Sequence, residues 1–143
     1  MKNKINWDYI SENQSLSESF IRRFKHKVCW LRISYFQKLS ENFIEEMQEM
    51  VDWVGISYRQ KLSEGFIRKF KDKVSWIAIS RSQKMSKEFI IEFQDRISIK
   101  DLRNNMEMTY EVGFEKGFDV AHEMIEEIVN EIRRIRRIRG NKR

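Results

Sequence analysis

The pattern of apolar positions repeats every 23 residues over about the first hundred positions of the chain. Each copy follows the pattern W-x-x-I-S-x-x-Q-x-(L/M)-S-x-x-F-I-x-x-(F/M)-x-x-x-(V/I), and the copies begin at Trp7, Trp30, Trp53 and Trp76. A fixed period of this kind is typical of repeat proteins, in which each unit buries its apolar face against its neighbours. The sequence therefore predicts a solenoid of four 23-residue repeats.

Capping signals in the third copy predict a helix in the second half of the repeat. Ser63 can accept a hydrogen bond from a free backbone amide, and the negative charge of Glu64 suits a helix N-terminus. Leu62 and Ile67 flank this cap at the spacing of a hydrophobic staple. These signals predict a helix over 64–73, and equivalent signals recur in the other three copies.

The first half of each copy carries its own capping signals. Asp52 can cap a helix over 53–60, whereas Cys29 is a poor cap at the same place in the second copy. Proline is absent and glycine is scarce, so little would interrupt a helix or form the turns of a β-rich fold. The predicted fold class is all-α, with a short helical hairpin in each repeat. A leucine-rich repeat of similar period is the alternative, although its L-x-L strand and fixed asparagine are missing.

The repeat pattern resembles the W-x-x-I-S-x-x-Q-x-L-S-x-x-F-I-x-x-F tandem arrays of proteins from phages, large DNA viruses and mobile elements. The resemblance covers residues 5–98. The biochemical function of those proteins is mostly unassigned, so the resemblance implies a biological setting rather than an activity. That setting is interference with a host or defence complex, anti-CRISPR-like in kind.

The 23-residue period ends after Ile97, and a different apolar pattern follows over 102–139. Its apolar residues alternate at steps of four and three, which is typical of a coiled-coil seam. The seam consists of Phe114, Phe118, Ala121, Ile125, Ile128, Ile132 and Ile135. We expect a four-repeat array over 1–98 and one long C-terminal helix within 99–143. The favoured interpretation is that the seam joins two chains in a homodimer; the alternative is that the helix folds back on the repeats.

The net charge of +6 at pH 7 invites a nucleic-acid interpretation, but the distribution of charge along the repeats weakens it. The sign alternates between copies in the second half of the repeat, from Arg22-Arg23 to Glu45-Glu46 to Arg68-Lys69. Because stacked repeats place equivalent positions side by side, this alternation predicts ion pairs between neighbouring repeats. A phosphate-binding stripe would keep one sign along the array.

Basic residues also gather at the end of the chain without an acidic residue among them. They are Arg133, Arg134, Arg136, Arg137, Arg139, Lys142 and Arg143. Positive charges stabilise the C-terminal end of a helix, but fewer would be enough. The five arginines from Arg133 to Arg139 are therefore candidates for contact with nucleic acid or an acidic partner. The alternative is a solvated, purely structural helix end.

The residue types of enzyme active sites form no recognisable arrangement in the sequence. His26, His122 and Cys29 lack a metal-ligand spacing, and neither a nucleophile–histidine–acid pattern nor a glycine-rich phosphate loop is present. We therefore expect a protein that is not an enzyme and has no cofactor or metal. No apolar run is long enough to span a membrane, and the N-terminus lacks the apolar stretch of a secretion signal. A cytoplasmic location is expected.

Polar and variable positions of the repeat suggest different roles. The serine of the W-x-x-I-S segment and the glutamine three residues later recur in every copy, which favours a structural role at the corner between helices. The positions directly after that serine vary, and they hold Tyr35, Phe36, Tyr58 and Arg59. Aromatic and arginine side chains are common at interface hot spots, so these four are candidate partner-binding residues unless the C-terminal helix covers them.

The expected function is a non-enzymatic, protein-binding repeat module that forms a homodimer and binds a protein or ribonucleoprotein partner. With the resemblance to phage and viral arrays, the expected role is that of an inhibitor or adaptor of a host or defence complex. The alternative is a nucleic-acid-binding protein that uses the arginine-rich C-terminal helix.

Overall fold

The computed structural model describes the backbone of residues 4–111 and 115–141, and the side chains of residues 4–105 and 122–141. Residues 5–98 contain helices and connecting turns but no strand, so the predicted all-α class is confirmed and the leucine-rich alternative is wrong. Each 23-residue repeat is a hairpin of two short helices, as predicted, although the second helix of the third copy ends at Lys69 rather than at residue 73. The helices are α1 (Trp7–Asn13), α2 (Glu18–Arg23), α3 (Trp30–Phe36), α4 (Glu41–Glu46), α5 (Trp53–Arg59), α6 (Glu64–Lys69), α7 (Trp76–Ser82), α8 (Lys87–Glu92), α9 (Ile99–Glu111) and α10 (Glu115–Gly140).

The helix caps lie where the sequence predicts them. The Ser63 hydroxyl accepts a hydrogen bond from the backbone amide of Phe66 at 3.1 Å, and the equivalent serines do the same in the other three copies. In the first helix of the third hairpin, the Asp52 carboxylate accepts from the Gly55 amide at 2.8 Å. Cys29 makes no side-chain capping bond, as expected of a poor cap.

An aromatic cluster and buried isoleucines form the core of each hairpin. In the third copy, the Trp53 ring centroid lies 6.3 Å from that of Phe66 and 5.2 Å from that of Phe70. Ile56 and Ile67 beside them are completely buried. Helices of seven and six residues are marginal in isolation, so this burial is what holds them in place. Each fully buried side chain of this size contributes about 2 kcal/mol.

By its internal contacts the chain divides into two compact units, Met1–Ser75 and Trp76–Arg143. In the first unit, the repeated serine joins one hairpin to the next. The Ser34 hydroxyl donates to the Trp30 carbonyl at 2.7 Å and accepts from the Asp52 backbone amide at 2.9 Å. Ser34 itself is completely buried. The predicted structural role of the repeated serine is therefore confirmed.

The repeated glutamine binds three backbone groups of the preceding hairpin. The Gln60 side-chain amide donates to the carbonyls of Ser34 and Gln37 at 3.1 and 2.7 Å, and its Oε1 accepts from the Leu39 amide at 3.0 Å. Gln37 makes the same three bonds to the first hairpin. Because buried backbone groups need hydrogen-bond partners, the structural role of the glutamine is confirmed as well.

The alternating charges pair between neighbouring hairpins of the first unit, as predicted. Arg22 donates two hydrogen bonds to the Glu46 carboxylate at 2.7 and 2.8 Å. Lys69 Nζ lies 2.5 Å from a Glu45 carboxylate oxygen. The hydrogen bond from Arg22 holds the pKa of Glu46 below its ordinary value. These charges are thus engaged within the chain rather than left for a partner.

In the second unit, helix α9 continues the hydrogen-bond pattern of the repeats. The Ser98 backbone amide donates to the Ser80 hydroxyl at 3.0 Å. The Asn105 side chain donates to the carbonyls of Ser80 and Gln83 at 3.1 and 3.0 Å. The repeated glutamine donates to the equivalent pair of carbonyls between hairpins of the first unit. Helix α9 is therefore a fifth copy of the repeat's first helix, and it covers the last hairpin.

Helix α10 packs against α8 and α9 in the same unit. One face of α10 is buried, and the Arg103 guanidinium of α9 lies 3.0 Å from the Glu126 carboxylate of α10. A long C-terminal helix of 26 residues is confirmed, but the predicted span 102–139 is shared by two helices that pack against each other. Whether residues 1–98 and 99–143 form separate domains stays a prediction. In the described part of the chain, no helix is long and apolar enough to cross a membrane.

Candidate partner-binding groove

A groove of about 500 Å³ lies between the C-terminal ends of α3 and α5 in the first unit. The two helices are equivalent parts of successive repeats and pack against each other, so equivalent positions face one another across the groove. Its lining consists of Tyr35, Phe36, Gln37, Lys38, Leu39, Tyr58, Arg59, Gln60 and Lys61.

The buried lining residues of the groove are Gln37, Leu39 and Gln60, each less than one-tenth exposed. The Gln60 side chain donates a hydrogen bond to the Gln37 carbonyl and accepts one from the Leu39 amide. These two bonds hold the loop that follows α3 in place. The polar atoms at this place are therefore occupied by backbone partners. Hydrogen bonds within the chain thus fix the floor of the groove.

Aromatic side chains lie along the open side of the groove. Ser34 and Ser57 point inward and are completely buried, so the next two positions of each helix turn outward. Phe36 is 52% exposed, and Tyr35 is half-buried beside it. Grouped apolar surface left exposed in this way marks interaction sites in soluble proteins.

A glycine allows the Tyr35 ring to lie across helix α5. A Cβ atom placed on Gly55 would come within 2.6 Å of the ring, so a larger residue would displace it. Glycine inside a helix costs about 1 kcal/mol relative to alanine, and the position of the ring gives a packing reason for it here. Arg59 Nε donates to the Tyr35 carbonyl at 3.2 Å, so neighbouring hairpins position both residues.

Positive charge lines the groove without acidic compensation. Lys38, Arg59 and Lys61 are exposed, and the lining contains neither aspartate nor glutamate. Neither lysine has an ion-pair partner among the side chains that the structure describes. The groove thus combines exposed aromatic surface with three cationic groups.

The apolar surface continues from the groove along α3. Leu31 is 57% exposed and lines an adjoining depression together with Arg32, Tyr35 and Phe36. Arg32 is paired with the Glu12 carboxylate. The surface beside the groove therefore adds an aliphatic side chain to the aromatic rings, and Arg32 there is neutralised by Glu12.

The four candidate partner-binding residues all lie in this groove, on both of its sides: Tyr35, Phe36, Tyr58 and Arg59. Their role in binding stays a prediction. Sequence reasoning missed Lys38 and Lys61, although lysine stands at this repeat position in three copies, the third being Lys84. It also missed Leu31, although the position after the tryptophan is aliphatic in three copies, with Val54 and Ile77 in the other two.

The C-terminal arginines predicted to bind nucleic acid or an acidic partner are all exposed. Three have intrachain partners at 2.7 to 3.3 Å: Arg134 binds Glu131, Arg136 binds the Gln94 carbonyl and Arg139 binds Asp95. Arg133 and Arg137 make no hydrogen bond or ion pair with any residue that the structure describes. The cluster therefore offers two unpaired charges, one helical turn apart.

Most of the described part of the predicted dimer seam is buried within the chain. Ile125, Ile128 and Ile132 are at most 3% exposed, and Ile135 is half-buried. Phe114 lies outside the described residues, as do the side chains of Phe118 and Ala121. Because α10 packs against α8 and α9, the three isoleucines cannot join two chains while these contacts persist. In its described part, α10 folds back on the same chain, as the alternative interpretation of the seam expected. The homodimer stays a prediction.

The histidine, cysteine and acidic side chains of the described residues form no group of three or more that could hold a metal ion.

No family model, curated protein or solved structure matches the chain.

Proposed function

We propose that the chain is a non-enzymatic, protein-binding repeat module and that the groove between α3 and α5 receives its partner. The observation that supports this best is the difference between recurring and variable positions. The recurring serine and glutamine are occupied by hydrogen bonds between hairpins. In the second and third copies, the variable positions after the serine instead line one open groove.

The chemistry of the groove suits a protein ligand. Phe36 offers a large apolar surface, and covering the exposed half of such a side chain contributes about 1–2 kcal/mol to binding. Aromatic and arginine side chains in a central pocket are the usual hot spots of protein interfaces. The hydrogen-bonded floor also reduces the ordering that binding would require.

The resemblance of the repeats to arrays of phages, large DNA viruses and mobile elements adds a setting to this proposal. The partner would then be a component of a host or defence complex, with the chain as its inhibitor or adaptor. A homodimer would carry two such grooves and would strengthen binding to a partner with repeated sites.

The proposal is tested by a pair of matched substitutions. Phe36→Ser removes the exposed ring of the groove, and Ile77→Ser removes a side chain of similar exposure, 57%, from outside the groove lining. Each protein is immobilised and exposed to lysate of the cells that naturally contain it, and the retained proteins are quantified by mass spectrometry. We expect a protein whose retention falls about tenfold with Phe36→Ser, as for a hot spot, and is unchanged with Ile77→Ser.

Circular dichroism of both variants shows whether they keep the fold of the unaltered chain. Equal retention of every protein by the three forms of the chain would contradict the proposal. So would a specific partner whose retention depends on Ile77 but not on Phe36.

A second candidate is nucleic-acid binding by the C-terminal helix, favoured by the two unpaired arginines Arg133 and Arg137. It predicts a mobility shift with a short duplex DNA that weakens steeply as salt is raised. The double substitution to glutamine at these two positions should abolish the shift. Binding that is unchanged by that double substitution would reject this candidate.

A further inference from the structure

We infer that the groove binds an acidic peptide segment that carries at least one aromatic or branched aliphatic side chain. This inference rests on the proposed protein-binding function and names the chemistry of the partner.

The charge of the groove is the first part of the argument. Elsewhere in the first unit, Arg22 and Lys69 of the second helices are paired with Glu46 and Glu45. The groove instead brings Lys38, Arg59 and Lys61 together without a carboxylate in its lining. Like charges that share a groove repel one another, and an acidic ligand relieves that repulsion. Charge complementarity of this kind guides association and excludes partners of the wrong sign.

The apolar surface is the second part, and it separates a peptide from a nucleic acid. Aromatic rings beside cations also suit single-stranded nucleic acid, whose bases stack on them. Here, however, the surface continues into exposed Leu31, and the adjoining Arg32 is already neutralised by Glu12. The Leu31 side chain has no aromatic face on which a base could stack, and the paired Arg32 offers no free charge to a phosphate. An aliphatic extension of the aromatic surface does suit the apolar side chain of a peptide.

The dimensions of the groove set the length of the segment. A volume of about 500 Å³ falls in the range of sites that enclose a small ligand. A few consecutive residues are enough to fill it, with the apolar side chain beside Phe36 and the carboxylates beside the two lysines. The partner is therefore a short linear segment rather than a broad flat surface.

The inference is tested by selection from a displayed library of random peptides about twelve residues long, with the folded full chain as target. We expect the enriched peptides to be rich in aspartate and glutamate and to contain phenylalanine, tryptophan or leucine. One enriched peptide is then synthesised and its affinity measured by fluorescence anisotropy. The double substitution Lys38→Glu/Lys61→Glu should weaken it by about tenfold or more, because opposed charges become like charges.

Lys27→Glu is the matched control, since Lys27 is exposed and lies outside the groove lining. It should leave the affinity within about twofold of the unaltered chain, because Lys27 does not line the groove and salt screens exposed charges that do not contact the ligand. The milder pair Lys38→Gln/Lys61→Gln serves if the charge reversal disturbs the fold, and it should also weaken the peptide.

The outcomes separate this inference from the proposed function. Enriched peptides that depend on Phe36 but show no acidic preference would overturn the inference and leave the protein-binding proposal standing. Failure to enrich any Phe36-dependent peptide would also overturn it, while the retention experiment with Phe36→Ser decides the broader proposal independently. A 12-nucleotide single-stranded RNA that binds in a Phe36-dependent way, without any such peptide, would favour a nucleic-acid groove instead.

Discussion

Replacing Gln60 by leucine should destabilise the first unit strongly, although the two side chains are similar in size. The Gln60 amide and its Oε1 bind two carbonyls and one backbone amide of the preceding hairpin, at 2.7 to 3.1 Å, and all three bonds are buried. Leucine can make none of these bonds. The substitution therefore isolates the contribution of one repeated glutamine to the joint between two hairpins.

The size of the effect follows from those three bonds. Each buried backbone group left without its partner costs about 1–3 kcal/mol. Burial of the apolar leucine side chain in place of the amide stabilises the folded state by about 2 kcal/mol at most. Three such groups cost about 3–9 kcal/mol, so we expect a net loss of about 1–7 kcal/mol in the free energy of unfolding. Gln14 provides the matched control, because it stands at the same repeat position but is exposed in the first hairpin. Gln14→Leu should change stability by less than about 0.5 kcal/mol.

Urea unfolding followed by circular dichroism measures both variants, with the slope of the transition as a check on the state that unfolds. Because hairpins of a repeat array can unfold separately, hydrogen exchange at the Leu39 amide supplies a local reading. That amide should lose protection in Gln60→Leu and keep it in Gln14→Leu. The reasoning is wrong if the two variants differ by less than about 1 kcal/mol, or if Leu39 exchanges at the same rate in both.

Three further predictions follow from other contacts. Ile128→Ala should cost about 2–4 kcal/mol, because the side chain is almost fully buried within one chain; a melting temperature that falls on dilution would show instead that the seam pairs two chains. Gly55→Ala should be neutral or destabilising alone but stabilising by up to about 1 kcal/mol in a Tyr35→Ala background, since the 2.6 Å contact with the ring then disappears and only the Ser34 Cβ at 3.1 Å remains; additive effects on urea unfolding would contradict this. The pKa of Glu46 is lowered by Arg22, so its contribution to stability is present above the ordinary pKa of 4.5 and is lost as the pH falls through the lower folded value. A carboxyl NMR titration should show that low pKa for Glu46, and Arg22→Gln should raise it. An unchanged pKa in Arg22→Gln would show that the ion pair does not stabilise the Glu46 carboxylate.

The repeat architecture could be predicted because each of its signals is local. A serine cap needs only its own helix, and the role of the repeated glutamine followed from its fixed place beside a helix corner. The ion pairs between hairpins could also be predicted from the alternating charges, once the repeats were assumed to stack side by side. Each of these inferences used positions that recur every 23 residues.

The C-terminal region was harder because its signals depart from that period. Ile99 replaces the leading tryptophan, and Asn105 stands one residue before the position of the repeated glutamine, so α9 does not register as a further copy. The heptad pattern of α10 shows that one face needs an apolar partner but does not identify it. In the described residues that partner is the same chain, through α8 and α9.

The groove itself was only half predictable. Its aromatic residues stand out as variable positions beside an invariant serine, but their grouping depends on the side-by-side packing of α3 and α5. The need for glycine at position 55 is likewise tertiary, because the ring that leaves no room for a side chain there belongs to Tyr35, one repeat earlier. Sequence periodicity alone does not indicate which variable positions share a surface.

The position two residues before the repeated glutamine explains why the groove belongs to the middle of the array. In the first copy this position holds Glu12, which pairs with Arg32 of the next hairpin. In the fourth it holds Arg81, which lies 2.8 Å from Asp101 of α9. In the second and third copies the same position holds Tyr35 and Tyr58, which line the groove. One position thus holds an ion-pairing residue in the outer copies and a half-buried aromatic residue of the groove in the inner two. Repetition of the structural residues permits this difference, because the serine and glutamine make the same bonds between hairpins whichever residue stands at that position. Recognition is therefore expected at the joint between α3 and α5 rather than at every joint of the array.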